Sequence, residues 1–394
     1  MLKAYSTILR RPGAAVFFAA GVLGRMPISM TGLGIVILIA RETGSYGLAG
    51  AVSGISVVAT ALTGPAQGRL VDRFGQARLL LVGAAICTAA LLVLLVAVSA
   101  GSPHWILYAV SAVAGGSRPQ VGSFVRARWT HVLGRGRSLQ TAYALEAVGD
   151  EVVFIVGPVL VTFLATQVSP YAGLIAAAVL GFAGAVWLGL LRATDPPGRG
   201  RATGSDDAPL PWLSLLLLSL IGAGLGAALG SAEVVTVAFT TAHGVPQMSG
   251  VVLAIWALGS LIAGLWYGSV HWRAPVERRL LIGTLALAVT MAPLPWVGSV
   301  VLLGVALFGC GMTIAPTMVA VTACVEEWVP PSRLTEAITW TVTGLLLGVA
   351  PGNALAGRAV DAVGPSDAYW VPFGIATGCA VLAATTLTFA RPRR

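Results

Sequence analysis

Charge is what this sequence has least of. Only 10% of its 394 residues are Asp, Glu, Lys or Arg, where an ordinary soluble domain carries about 25%. With 57% hydrophobic residues, the chain cannot cover a water-facing surface of its own size, which excludes a soluble globular architecture. Histidine and cysteine are scarce too, at four each. His104, His131, His243 and His271 all fall in predicted joints, and Cys87, Cys310, Cys324 and Cys379 lie in or beside apolar segments without metal-ligand spacing. The cysteines therefore read as packing residues, and no metal site, cofactor or enzymatic constellation is expected. Absent as well is a Gly-x4-Gly-Lys-Ser/Thr phosphate cradle, so any work this chain does is driven by a gradient or a partner protein. The net charge of +9 comes from brief basic clusters between apolar runs, with no aromatic-basic module around them, which argues against nucleic acid as a partner.

What is present is length of apolar run. A helix needs ~20 residues to cross a ~30 Å hydrocarbon core, and such runs recur from end to end. Bounded by charge, Pro or Gly, they predict twelve spans near 13–40, 47–69, 78–100, 104–126, 138–166, 170–192, 211–241, 248–269, 279–297, 299–324, 334–358 and 367–390. Lys3, Arg10 and Arg11 precede the first as they would in a signal peptide, but the run is too long for an h-region, so an uncleaved first span is expected. Basic residues mark cytoplasmic joints, and 20 of the 24 lie at the termini and one alternate set of joints. Arg41 and Arg358 lie at the opposite joints, and Arg25 and Arg118 inside spans. The reading is a multi-pass protein of the cell inner membrane with both termini cytoplasmic.

The polar joint 193–210 falls at the midpoint and divides residues 1–192 from 211–394, six spans from six. The halves echo each other. Gly64, Gly68, Arg73, Arg78, Leu80 and Gly83 recur as Gly264, Gly268, Arg273, Arg278, Leu280 and Gly283, all at an offset of 200, and Gly157-Pro158 in span 5 is echoed by Ala350-Pro351 in span 11. Duplicated halves are characteristic of secondary transporters.

The segment Gly68-Arg-Leu-Val-Asp72-Arg73-Phe-Gly75-Gln-Ala-Arg78 resembles the signature loop of the major facilitator transporters between spans 2 and 3. It keeps Gly68, Asp72, Arg73, Gly75 and Arg78, and departs at Gln76 and Leu79, where the pattern usually has a basic residue. With the twelve spans and the repeat, the resemblance covers essentially the whole chain. It implies an all-α membrane protein with twelve transmembrane helices in two pseudo-symmetric six-helix bundles, the major facilitator fold. It also implies a latch at this loop that ties the halves together on the cytoplasmic side. Physically, glycines there permit a tight turn and close helix approach, and Asp72 can accept from a helix N-terminus. The alternative is a turn carrying ordinary positive-inside charges.

Charged side chains at bilayer depth cost about 2.5–3.5 kcal/mol on insertion scales, so they are paired or functional. Six are expected here: Arg25, Arg118, Glu146, Asp150, Glu151 and Glu233. A rise of ~1.5 Å per residue sets Glu146 level with Arg118, Asp150 and Arg25 near the midplane, and Glu233 near the outer end of span 7. Glu146 and Asp150, four apart, share a helix face, while Glu151 points elsewhere. One reading makes Asp150 or Glu146 the carrier of a coupling proton, with Arg118 or Arg25 as the partner released. The other is a static ion-pair network joining spans 1, 4 and 5.

By resemblance, Arg118 in Gly115-Gly-Ser-Arg118-Pro-Gln-Val-Gly122 is similar to the span 4 arginine of many proton antiporters, although the usual glutamine-glycine pair is displaced. Of the glycine pattern of drug antiporters in span 5, only the kink at Gly157 and Pro158 remains. The family also implies a cavity lined by spans 1, 4, 7 and 10, to which Arg25, Arg118, Glu233, Met312 and Thr313 would contribute. The nearest pattern is the twelve-helix drug:proton antiporter and sugar-efflux-like branch. Small-molecule substrate, protons and the lipid bilayer are the expected partners, with a monomer assumed and efflux of small amphipathic or drug-like molecules the expected activity. An importer or facilitator of a small polar metabolite stands as the alternative, and a membrane sensor or lipid-handling protein as a third.

Overall fold

The computed structural model describes residues 2–134, 137–196, 211–270, 272–330 and 333–389. Its regular structure there is helical: α1 (Leu2–Leu9), α2 (Ala14–Arg25), α3 (Pro27–Thr43), α4 (Tyr46–Phe74), α5 (Gln76–Ser99), α6 (His104–Ser117), α7 (Val121–Leu133), α8 (Arg137–Gln167), α9 (Ala172–Leu190), α10 (Trp212–Ala242), α11 (Met248–Ser269), α12 (Val276–Met291), α13 (Val300–Trp328), α14 (Leu334–Val363) and α15 (Trp370–Phe389). Eleven spans among the described residues are long and apolar enough to cross a membrane, with α2 and α3 together making the first.

The twelfth is the predicted span 4, which is broken. Arg118 leaves the helical region at φ −61°, ψ 120°, as a residue before a proline is pushed to do, and Pro119 and Gln120 separate α6 from α7. The carbonyls freed at the break are answered from α4: Thr60 Oγ1 donates to Gly115 O at 2.8 Å, and Gln67 Nε2 to Gly116 O at 3.2 Å and Arg118 O at 3.0 Å. Backbone polar groups at membrane depth need such partners. One helix was unforeseen: α1, whose Ile8 is buried.

The chain divides into two compact units, Met1–Ile35 with Ala59–Thr203, and Val36–Val58 with Gly204–Arg394. In the first, α2 packs on α7 and α9, and α5 on α6 and α9, around a core that includes Phe17, Leu80, Trp129 and Leu188. In the second, α10 packs on α14 and α15, α11 on α13, and α12 on α13 and α15. The repeat extends to single contacts. A Cβ on Gly83 would collide with the Ser117 carbonyl, and one on Gly283 with Thr317, so both partners of the contact keep the offset of 200.

The interface between α10 and α14 is made of glycine. Gly222, Gly226 and Gly230 lie at four-residue spacing on α10, and Gly344, Gly348 and Gly352 on α14; a Cβ on any of these would strike the opposite helix. Small residues at this spacing let two backbones approach within a bilayer, where water supplies no drive to bring helices together.

Candidate functional site: a buried charge cluster in the first unit

Arg25 ends α2 at the break before Pro27 and is 1% exposed. Its Nε donates to Gly21 O at 3.0 Å, and its Nη1 lies 2.8 Å from Glu146 Oε2 and 2.7 Å from Asp150 Oδ1. The two carboxylates are one turn apart on α8, so one guanidinium spans both. Glu146 is fully buried, and its Oε1 accepts from Trp129 Nε1 of α7 at 2.8 Å. Trp129 is held edge-on by Phe17, with ring centroids 4.5 Å apart. Asp150 is 33% exposed, and its Oδ2 lies 3.2 Å from Arg126 Nη2, itself 52% exposed.

Two cations and two anions thus form a chain from inside to outside: Glu146, Arg25, Asp150, Arg126. Its formal charge sums to zero, which makes burial tolerable because each ion is paired. The arrangement is graded. Glu146 is sealed and tied to Trp129, whereas Asp150 is partly exposed and shared between two arginines. Below the cluster α3 packs closely on α8: Ser29 Oγ donates to Val153 O at 2.7 Å and fits against Gly157, where a Cβ would collide with it. Gly157 and Pro158 therefore lie inside α8, at its contact with α3.

The other expected residues lie apart from this cluster. Arg118 Nη2 donates to Thr60 Oγ1 at 3.2 Å, so it belongs to the broken segment and makes no ion pair among the described residues. Glu151 is half-buried on α8 and has no cationic partner among the described residues. Glu233 is partly buried on α10 and likewise makes no ion pair among the described residues; nine residues, ~14 Å of helix, separate it from the helix end at Ala242. Met312 on α13 is exposed, and Thr313 Oγ1 is occupied by the Cys310 carbonyl at 2.7 Å.

The signature segment is also redrawn. Gly68 is inside α4 with open space where a Cβ would stand, and the turn is made by Gly75 alone at φ +80°. Arg73 and Arg78 lie over the Phe74 ring, 5.1 and 5.6 Å from its centre. The side chain of Asp72 lies outside the described residues, as do positions 197–210 of the central joint. The departure at Gln76 has a cause: its amide is buried, accepts from Arg128 Nε at 3.0 Å and donates to Phe124 O at 3.3 Å. Arg128 is fully buried and also binds Leu191 O at 2.8 Å and Thr194 Oγ1 at 3.0 Å. A basic residue at position 76 would face that guanidinium.

Arg126 and Trp129 were not singled out by the sequence, where Arg126 counts as a cytoplasmic-joint charge. The available signal was arithmetic: two membrane carboxylates on one face call for two cations, and positions 126 and 129 share a helix face.

Eleven apolar spans among the described residues, a broken helical segment between the third and fourth of them and an internal repeat define a polytopic membrane protein. The sequence profile of the Major Facilitator Superfamily matches residues 17–325, and the chain belongs to that family. No curated protein matches it by sequence. Among solved structures it resembles the nucleoside transporter NupG, with TM-score 0.75 at 14% identity over 96% of this chain and 99% of that one. It also resembles the POT family transporter PepTSo (0.71, 12%, 96% and 97%) and a bacterial homologue of the iron transporter ferroportin in its inward-facing state (0.67, 16%, 94% and 98%). At these identities the likeness is one of fold.

Proposed function

We propose that this chain is a proton-coupled secondary transporter that exports small amphipathic molecules, with Asp150 as the proton carrier and Glu146 as its fixed counterpart. The observation that carries the reading is the grading of the cluster: one guanidinium bridges a sealed carboxylate and an accessible one. Protonating Asp150 would remove one of the two anions that hold Arg25 and free Arg126 as well. The charges at the end of α2 would then rebalance toward Glu146, shifting the α2–α8 contact. That is the coupling an alternating-access cycle needs between ion occupancy and helix packing. Arg118, Glu233 and the exposed Met312 stand as contributors to substrate binding in this proposal, and the two six-span halves, 1–192 and 211–394, as the parts that rock.

Purified protein in liposomes under an imposed pH gradient, with a panel of amphipathic cations, nucleosides and short peptides, tests this directly. The expected result is solute-dependent proton flux that Asp150→Asn and the Glu146→Gln/Asp150→Asn pair abolish while pH-independent solute exchange survives. Solute flux still driven by the pH gradient in the double variant would remove both carboxylates from the coupling role. The sign of the gradient that accumulates solute separates an exporter from an importer.

A further inference from the structure

Asp361 is in the wrong place for its own helix. It lies in the last turn of α14, two residues before the helix ends at Val363 and Gly364 turns the chain, where the partial negative charge of the helix terminus disfavours a carboxylate. Its oxygens answer a different helix. Oδ1 accepts from Tyr46 N at 2.9 Å, and Oδ2 accepts from Gly47 N at 2.8 Å and from Ser45 Oγ at 3.0 Å. Ser45 Oγ in turn accepts from Leu48 N at 3.1 Å. These are the unpaired amides at the start of α4. The N-cap of α4 is therefore a two-part device: Ser45 from its own chain end and a carboxylate from a residue more than 300 positions away.

The contact continues below the cap. A Cβ on Gly47 would press on Asp361 and Arg358, one on Gly50 would strike the Asn353 carbonyl, one on Gly54 would strike Ala350, and one on Gly357 would strike the Tyr46 carbonyl. The Asn353 amide, with its NH2 on the Gly230 and Val349 carbonyls at 3.0 and 3.1 Å, faces Ser53 Oγ at 3.5 Å. All of this seam is small and close-fitting, so it contains no room for partial separation. It holds or it parts.

We propose that Asp361 is the latch of this seam: a carboxylate on the last turn of the second repeat's fifth span that caps the first repeat's second span, and that must release whenever α4 and α14 separate at the end where Ser45 and Gly364 lie. The cap is exposed, so water can take over its hydrogen bonds at modest cost, which suits a contact made and broken in each cycle. The buried glycine seam beneath it supplies the fit, and the cap sets how often it opens.

The test is the reactivity of Ser53→Cys, a buried seam position, toward a membrane-impermeant maleimide applied to the outer face of cells expressing the full chain, with the background from the four native cysteines subtracted. Losing a helix cap shifts an opening equilibrium by about fivefold. Asp361→Ala is expected to raise the labelling rate of Ser53→Cys by about that factor, and Gly47→Val, which displaces the carboxylate, to do the same. Asp361→Glu is expected to label more slowly than Asp361→Ala, because it keeps the acceptor. A cysteine at Gly244 reports how much protein reaches the surface, so Gly47→Val carries the test if Asp361→Ala is poorly made. Equal labelling rates in the parent, Asp361→Ala and Gly47→Val would overturn the proposal, as would rapid labelling already in the parent.

Discussion

Arg25 satisfies two carboxylates with one nitrogen, and its removal should therefore be felt most by the partner that cannot reach water. Arg25→Leu leaves Glu146 ionised, fully buried and held by Trp129 alone; breaking a buried pair in this way costs about 3–5 kcal/mol. The expected outcome is a large drop in the melting temperature of the detergent-solubilised protein, and a clear recovery when Glu146→Gln is added to Arg25→Leu. An unchanged melting temperature in Arg25→Leu would mean that the Arg25–Glu146 pair does not stabilise the fold. Gln76 makes the opposite kind of statement. Gln76→Lys restores the basic residue usual in the family signature, but it sets a second buried cation where Arg128 Nε now finds an acceptor 3.0 Å away. It should lower the melting temperature, whereas Gln76→Glu, which pairs with Arg128, should not.

Between helices the informative comparison is among glycines that look alike in the sequence. Gly226 and Gly348 sit where α10 and α14 touch, and Gly68 and Gly268 face open space. Gly226→Val or Gly348→Val should abolish accumulation of folded protein in the membrane, while Gly68→Ala should be neutral or add up to about 1 kcal/mol through helix propensity. Gly75→Ala forces a Cβ onto a backbone at φ +80°, ψ 161°, a region essentially reserved for glycine, and should cost about 1–3 kcal/mol. Membrane yield of the two valine variants, and thermal unfolding of purified Gly68→Ala and Gly75→Ala, separate these outcomes. The signature segment shows how far sequence reading reaches at this scale. Its identity and topological place were legible, because the glycines and arginines recur at a fixed offset. Which glycine makes the turn was not, because a glycine tolerated inside a helix and one required at φ +80° leave the same letter. The pairing of Arg25 with the α8 carboxylates was legible only as one of two choices, since helical rise ranks depths but does not say which helix faces turn together. The role of Arg126 was not legible for a similar reason: its charge satisfies the topology rule, and nothing local marks it as a second partner for Asp150.

At the scale of the molecule, twelve spans place both termini on one side and eleven would not. With the basic joints inside, a fluorescent protein fused after Arg394 should fluoresce, and a cysteine at Gly244 should react with an impermeant reagent added outside. A dark fusion with an inaccessible Gly244 position would reverse the orientation. The span that decides the parity is the broken one, and its irregularity bears on how the chain is made. A segment interrupted by Ser-Arg-Pro-Gln offers the insertion machinery a polar, non-helical centre, so it is poorly suited to entering lipid alone. Thr60 and Gln67, which answer its freed carbonyls, belong to α4 and leave the ribosome some fifty residues earlier. In chain order, then, the span that carries both donors precedes the broken segment that depends on them, and Gln67→Ala, which removes one of those donors, is expected to lower the yield of inserted protein.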